Sequence, residues 1–234
     1  MTKPAIFLDF IRLVIAGDEA EVLRRLCADP QLATMPSPTG ASRQSAKPFF
    51  FTEIGHYLYA GDTALHMAAA AFCRTVAELL VSHGADCRAR NRRGAEPLHY
   101  AADANRCAPA AQAKVIEYLA KAGADLNALD KSGVAPLHRA VRTRSLAAVR
   151  ALLDNGANPT LVNKSGSTPL HLAVQNTGKS GSGSDESHSQ QSEIIALLLK
   201  RGARRTDKDH RRRTVDQAAT SQWIRELLKR GTSR

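Results

Sequence analysis

Thr168-Pro169-Leu170-His171 is spelled three more times along the chain, as Thr63-Ala64-Leu65-His66, Glu96-Pro97-Leu98-His99 and Ala135-Pro136-Leu137-His138. Threonine is a good helix N-cap because its hydroxyl accepts from an otherwise unpaired N–H of the first turn. Proline suits the next position, having no N–H to leave unpaired and a φ already helical. Leu170 and Ala173 then fall on one face of a short helix. Downstream of the copies come apolar runs, such as Val149, Leu152 and Leu153 or Ile194, Ile195, Leu197 and Leu198, closed by a Gly-Ala pair. Glycine there can take the positive φ that ends a helix. Each unit is therefore two antiparallel helices and a turn-rich extended stretch, such as Asp125 to Gly133, leading to the next cap.

The spacing is regular apart from two interruptions. Turn glycines Gly61, Gly94, Gly133 and Gly166 lie 33, 39 and 33 residues apart, and helix-ending glycines Gly84, Gly123, Gly156 and Gly202 lie 39, 33 and 46 apart. A period of 33 thus carries an insert of 6 residues near 103–111 and one of 13 around 176–191. Both fall between the two helices of their unit, so both should emerge along one edge, opposite the hairpins. A unit this small cannot bury its apolar face alone, whereas stacked copies bury a continuous core.

The phrase Thr-Pro-Leu-His-x-Ala, followed at this period by Gly-Ala-Asp as at Gly84 and Gly123, resembles the ankyrin repeat. The resemblance implies an all-α solenoid of helix-turn-helix units joined by β-hairpin-like loops, with four clear repeats and degenerate N- and C-terminal caps. The expected divisions are a degenerate unit at 1–33, a linker and aromatic segment at 34–60, four repeats at 61–209 and a basic capping unit at 210–234. Within 34–60, Phe49, Phe50, Phe51, Tyr57 and Tyr59 are expected to lie across the first repeat in place of a regular hairpin; the alternative is an exposed aromatic anchor for a partner. Departures from the family pattern have expected costs. Glu96 and Ala135 stand where the family places threonine, and each helix should lose a hydroxyl cap worth about 1 kcal/mol. Arg212 replaces the last turn glycine, which suggests a frayed or rebuilt final hairpin.

Signals for chemistry are few. His66, His99, His138 and His171 recur one per repeat, a helix diameter of about 10 Å apart, too far for ligands that must each lie within about 2 Å of one metal. In the family this position ties neighbouring hairpins together by hydrogen bonds. Thr177 to Ser184 contains Gly-Lys-Ser, but Ala173 stands where a phosphate-binding loop needs glycine, and the segment follows a helix instead of a strand. It reads as a flexible Gly/Ser insert. No nucleophile elbow, dinucleotide fingerprint or zinc spacing occurs, so no catalytic residue, cofactor or metal is expected. Cys27, Cys73, Cys87 and Cys107 are scattered, which favours a reducing compartment and a cytoplasmic location. The apolar stretch from Ile6 to Ile15 is interrupted by Asp9 and Arg12 and reads poorly as a signal peptide. No run is long enough to span a bilayer.

Charge supplies the functional clue. The formal net charge is +11, and residues 200–234 hold twelve Lys or Arg against four Asp or Glu. Arg88, Arg90, Arg92 and Arg93 fall on the first hairpin, and Arg139, Arg142 and Arg144 on or beside the third inner helix. The resemblance implies binding through hairpin tips and the concave inner-helix face. The expected partner-binding residues are therefore these seven arginines with Tyr100 and Gln175. The reading is a monomeric, non-catalytic protein-binding module for an acidic protein partner. The alternative is a basic module for nucleic acid or another polyanion.

Overall fold

The computed structural model describes residues 3–103, 108–175, 185–219 and 221–230. Each copy of the phrase opens a short helix, and the chain runs α1 (Lys3–Ala16), α2 (Glu19–Ala28), α3 (Gln31–Thr34), β1 (Phe50–Phe51), β2 (His56–Tyr57), α4 (Ala64–Ala70), α5 (Arg74–Ser82), α6 (Pro97–Ala101), α7 (Pro109–Lys121), α8 (Pro136–Arg142), α9 (Leu146–Asp154), α10 (Pro169–Ala173), α11 (Asp185–Lys200), α12 (Val215–Ala218) and α13 (Gln222–Arg230). Helices α1, α4, α6, α8, α10 and α12 pack in succession as an inner row, and α2, α5, α7, α9 and α11 as an outer row. At the end of the outer row, Trp223 of α13 stacks on His188 of α11 at 4.7 Å. The array is an all-α solenoid.

Its core follows the sequence period. Leu65, Leu98, Leu137 and Leu170 are buried at the same point of four successive inner helices, and Leu80, Leu119, Leu152 and Leu198 face them from the outer row. Burying each such leucine contributes roughly 1.5–3 kcal/mol. Ala68, Ala69 and Ala70 are buried as well, small enough to let adjacent helix backbones approach.

The extended stretches between repeats form hairpin tips, each organised by one Asx side chain. Oδ1 of Asp130 accepts the N–H groups of Ser132 at 2.8 Å and Val134 at 3.0 Å. Asn91, Asn163 and Asp209 repeat this arrangement. Successive tips are then joined by one backbone bond each: Arg92 N–H to Ala60 O, Lys131 to Arg93, Lys164 to Ser132 and His210 to Ser165. Glycine is required at Gly133, where φ is +71° and a Cβ would meet the Lys164 nitrogen at 2.8 Å.

The final tip corrects an expectation. Arg212 adopts φ +61° and the hairpin closes regularly, with Arg212 N–H on Asp209 O at 2.9 Å and Asp209 N–H on Arg213 O at 3.0 Å. Five bonds to Asp209, from the backbone of Arg211, Arg212 and Arg213 and from the Arg213 guanidinium, hold a residue that lacks glycine's freedom.

Both ring nitrogens of the repeated histidines are occupied. Nδ1 of His66, His99, His138 and His171 accepts the N–H of the N-cap three residues before it, at 3.1 to 3.3 Å. Nε2 donates to a carbonyl of the next repeat: Ala95, Val134, Ser167 and Arg213 respectively. This fixes the neutral tautomer and ties repeats together. It also softens the departures at Glu96 and Ala135, because the histidine supplies the reciprocal half of a capping box even where no hydroxyl is present.

Where the repeats are interrupted, the outer helix is longer: α7 and α11 have 13 and 16 residues against 9 in α5 and α9. Residues 104–107 and 176–184, including the Gly-Lys-Ser segment, lie outside the described residues. The remainder of the second interruption, from Asp185, is helical. In both interrupted units a buried glutamine closes the inner helix. Gln112 Nε2 donates to the carbonyls of Ala101 at 2.9 Å and Asp103 at 3.2 Å, and Gln191 Nε2 to Ala173 at 2.6 Å.

Candidate partner-binding site

The aromatic segment forms a short antiparallel hairpin, Phe50 opposite Tyr57 and Phe51 opposite His56, stacked against the first two repeats. Phe51, Ile54 and Leu58 are buried under it, while Phe50 remains 40% exposed and stacks on Tyr57 at 4.7 Å. The segment therefore covers the first repeat with one edge and leaves Phe50 exposed on the other. The linker before it is docked through paired backbone bonds, Ser37 N–H to Asp62 O at 2.7 Å and Gly61 N–H to Ser37 O at 2.8 Å.

Between this hairpin and the tips and inner helices of the next two repeats lies a polar pocket of about 210 Å³, walled by His56, Tyr59, Arg93, Asp103, Arg139 and Arg142. Beneath it lies Asp62, a fully buried carboxylate. Asp62 accepts from the Tyr100 hydroxyl at 2.8 Å, the Asn91 amide at 2.8 Å and the Tyr59 N–H at 2.6 Å. Tyr100, 1% exposed, is packed edge-on against His66 and beneath His56. Burial and the adjacent Asp62 carboxylate push the Tyr100 phenol far up, so it stays protonated and donates.

Across the pocket, Arg139 bridges two carboxylates, Nη1 to Asp103 at 2.9 Å and Nη2 to Asp130 at 3.1 Å. Its side chain is 12% exposed. Burial opposes the charges of all three. The pairing prevails: Asp103, despite its desolvation, is held below the ordinary carboxylate range by His56, Arg139 and Arg142. Asp130, likewise desolvated, is lowered by the N–H groups of Val134 and Ser132 and by Arg139. Arg139 keeps its proton more tightly than a free guanidinium because of both partners.

The expected binding residues do not share one environment. Tyr100 is interior, and its hydroxyl is spent on Asp62; as a surface group it is a correction, caused by the buried carboxylate that Asp62 brings to the first repeat. Arg139 is a structural clamp between Asp103 and Asp130 in the pocket wall, which likewise removes it from the free arginines. Arg88 donates to Gly123 O at 2.8 Å, Arg90 to Glu96 at 3.1 Å and Leu129 O at 3.2 Å, and Arg92 to Ala41 O at 3.0 Å. These three lie on the tip surface but are tethered. Arg93 and Arg142 line the pocket. Arg144, at φ +58°, lies instead in an outer groove with Pro109 and Leu146, and Gln175 is exposed after α10.

Asp62, Asp103, Asp130 and His56 were missed by sequence reasoning. Asp62 carried a signal: in the other three copies of the phrase the residue before the N-cap is Ala95, Val134 or Ser167, so among the four copies it is the one charged residue at that position. Gln112 and Gln191 carried another, each standing 11 residues before a helix-ending glycine. Asp103 carried none, since it falls at the edge of an insert.

A family model described as ankyrin repeats (3 copies) matches residues 41–130 and again 106–209. No curated protein matches the chain.

Proposed function

The chain belongs to the ankyrin-repeat family, and we propose that it is a non-catalytic module that binds an acidic protein through its hairpin tips and inner face. Ankyrin repeats are in general protein–protein interaction modules, and the family is typically non-enzymatic. The observation that carries the acidic partner is the disposition of charge at the inner face. The carboxylates there are consumed by Arg139 and by backbone N–H groups, while Arg93 and Arg142 line the pocket with exposed side chains. Tyrosine and arginine together are also the residues that dominate protein interfaces energetically.

Among the described residues no helix is long and apolar enough to cross a membrane. The reading places the module in the cytoplasm as a monomer, with repeats at 61–209, a degenerate unit at 1–33, the aromatic segment at 34–60 and a basic cap at 210–234.

The test is capture from the native cell with the intact chain, followed by a salt titration of whatever binds. A protein ligand whose affinity falls only gently with salt supports the reading. The surplus of basic residues in 200–234 makes nucleic acid the rival outcome. Recovery of nucleic acid, with log affinity falling steeply and linearly in log salt, would replace it.

A further inference from the structure

We infer that the pocket between the β1–β2 hairpin and the tips of the next two repeats is a receptor for a single carboxylate, presented by an extended segment of the partner chain. The inference rests on the protein-binding reading and names what that site recognises.

The first argument is the balance of donors and acceptors. Both oxygens of each pocket carboxylate are engaged: Asp103 Oδ2 with Arg139 at 2.9 Å and Oδ1 with Arg142 at 3.8 Å, Asp130 Oδ1 with two N–H groups and Oδ2 with Arg139 at 3.1 Å. The donors are not all spent. Arg142 is 58% exposed and its only ion pair among the described residues is that loose one. The Arg93 guanidinium lies over the Tyr59 ring at 4.8 Å and meets no carboxylate or carbonyl among the described residues. Arg139 Nε is buried without a partner. In the wall three guanidinium groups stand against two carboxylates, the third carboxylate, Asp62, being buried beneath and spent on Tyr100, Asn91 and the Tyr59 N–H, so the donors left open to solvent are those of Arg93 and Arg142.

Preorganisation is the second argument. Arg93 is pinned at its backbone by Asn91, which accepts its N–H at 2.8 Å, and by Lys131, whose N–H it receives at 2.9 Å. Its side chain is stacked on the ring of Tyr59, a residue whose backbone N–H Asp62 accepts at 2.6 Å. A planar fork fixed in this way loses little freedom on receiving a carboxylate.

Size and surroundings choose the ligand. A space of about 210 Å³ takes one acidic side chain and no nucleotide. Asp103 and Asp130 stand in the wall and repel a polyphosphate, whereas a lone carboxylate is satisfied by Arg93 and Arg142. Beside the pocket lies a second trough of about 350 Å³ that shares Tyr59 and Arg93 with it and adds Tyr57, Ala41 and Ala46. A peptide leaving the pocket therefore runs over aromatic faces, which favours an apolar residue near the acidic one.

The probe is the capped peptide acetyl-Gly-Glu-Gly-Leu-amide, titrated into the full chain at constant ionic strength. The side-chain Nε–H resonances of Arg93 and Arg142 and the backbone N–H of Tyr59 and Ser132 are followed by NMR. The expected result is a saturable shift at these four groups, weakened on the order of tenfold when Glu is replaced by Gln. Arg93→Gln with Arg142→Gln should remove it while the amide spectrum of the rest of the array is kept. The inference is overturned by a non-saturating response, by equal binding of the Glu and Gln peptides, or by inorganic phosphate binding tenfold more tightly than the Glu peptide. Capture of the cellular partner separates the two readings. If a protein is captured equally well by the intact chain and by the double variant, the module binds protein and this pocket is not its receptor.

Discussion

Replacing His99 by glutamine should remove part of the protein's sensitivity to acid. Burial holds the His99 imidazole well below its ordinary value, down to about 4, helped by the nearby Arg139 charge. Protonation would also place a proton on the Nδ1 that accepts the Glu96 N–H. The unfolded chain takes up this proton near pH 6.5, the folded one only near pH 4. The stabilisation is therefore complete above about pH 6.5 and is lost progressively as pH falls toward 4. Linkage puts the loss at about 2 kcal/mol at pH 5 and about 3 kcal/mol at pH 4. His66 and His138, lowered chiefly by burial, add losses of the same sign. Glu96 works the other way, since burial raises its carboxyl and protonation relieves it. Asp103 and Asp130 are lowered and act only at more acid pH. Glutamine can accept the N-cap N–H without titrating, as the chain itself demonstrates at Gln217, whose Oε1 accepts the Thr214 N–H at 2.9 Å. Thermal melts of the full chain by circular dichroism at pH 7.5 and pH 5.0 are the assay. Wild type should lose about 4 to 8 °C more than His99→Gln between the two. Equal losses would refute the assignment of the neutral, doubly bonded ring.

Other substitutions follow from the same contacts. Arg212→Gly should raise stability by about 1 kcal/mol, read as a higher melting temperature, because glycine occupies φ +61° without the strain of a Cβ. Glu96→Thr should stabilise at pH 7 by roughly 1 kcal/mol, since it replaces a carboxylate whose Oε2 is buried without a partner by a capping hydroxyl. Ala135→Thr should add a cap of similar size, and a lower melting point for either would count against the capping account. Gln112→Leu should cost about 2 to 3 kcal/mol in urea unfolding. It strands the carbonyls of Ala101 and Asp103 and the hydroxyl of Ser145, which Gln112 Oε1 accepts at 2.6 Å.

The repeat was legible because everything that defines it is local. A cap, a proline and a glycine of positive φ act within one turn of chain, and the apolar period needs no knowledge of distant partners. The glutamines illustrate the limit of that. In the uninterrupted units their position is the N-cap of the outer helix, Cys73 and Ser145. In the interrupted units it lies inside the helix, and the side chain returns to close the inner helix. Period alone marks the position; packing assigns the role.

The free arginines mark the other boundary. Arg139 and Arg142 are one helical turn apart and look equivalent as sequence. Arg139 points at Asp103, 36 residues away, and at Asp130, whereas Arg142 is left facing solvent. Arg93 is set apart from its tethered neighbours by a ring contributed from the hairpin before the first repeat. The amino-acid order by itself determined a helical solenoid and its family, since those rest on short-range geometry repeated at a fixed interval. Only the tertiary structure decided which charges remain available to a partner, because availability depends on carboxylates and rings that the chain brings close from other repeats.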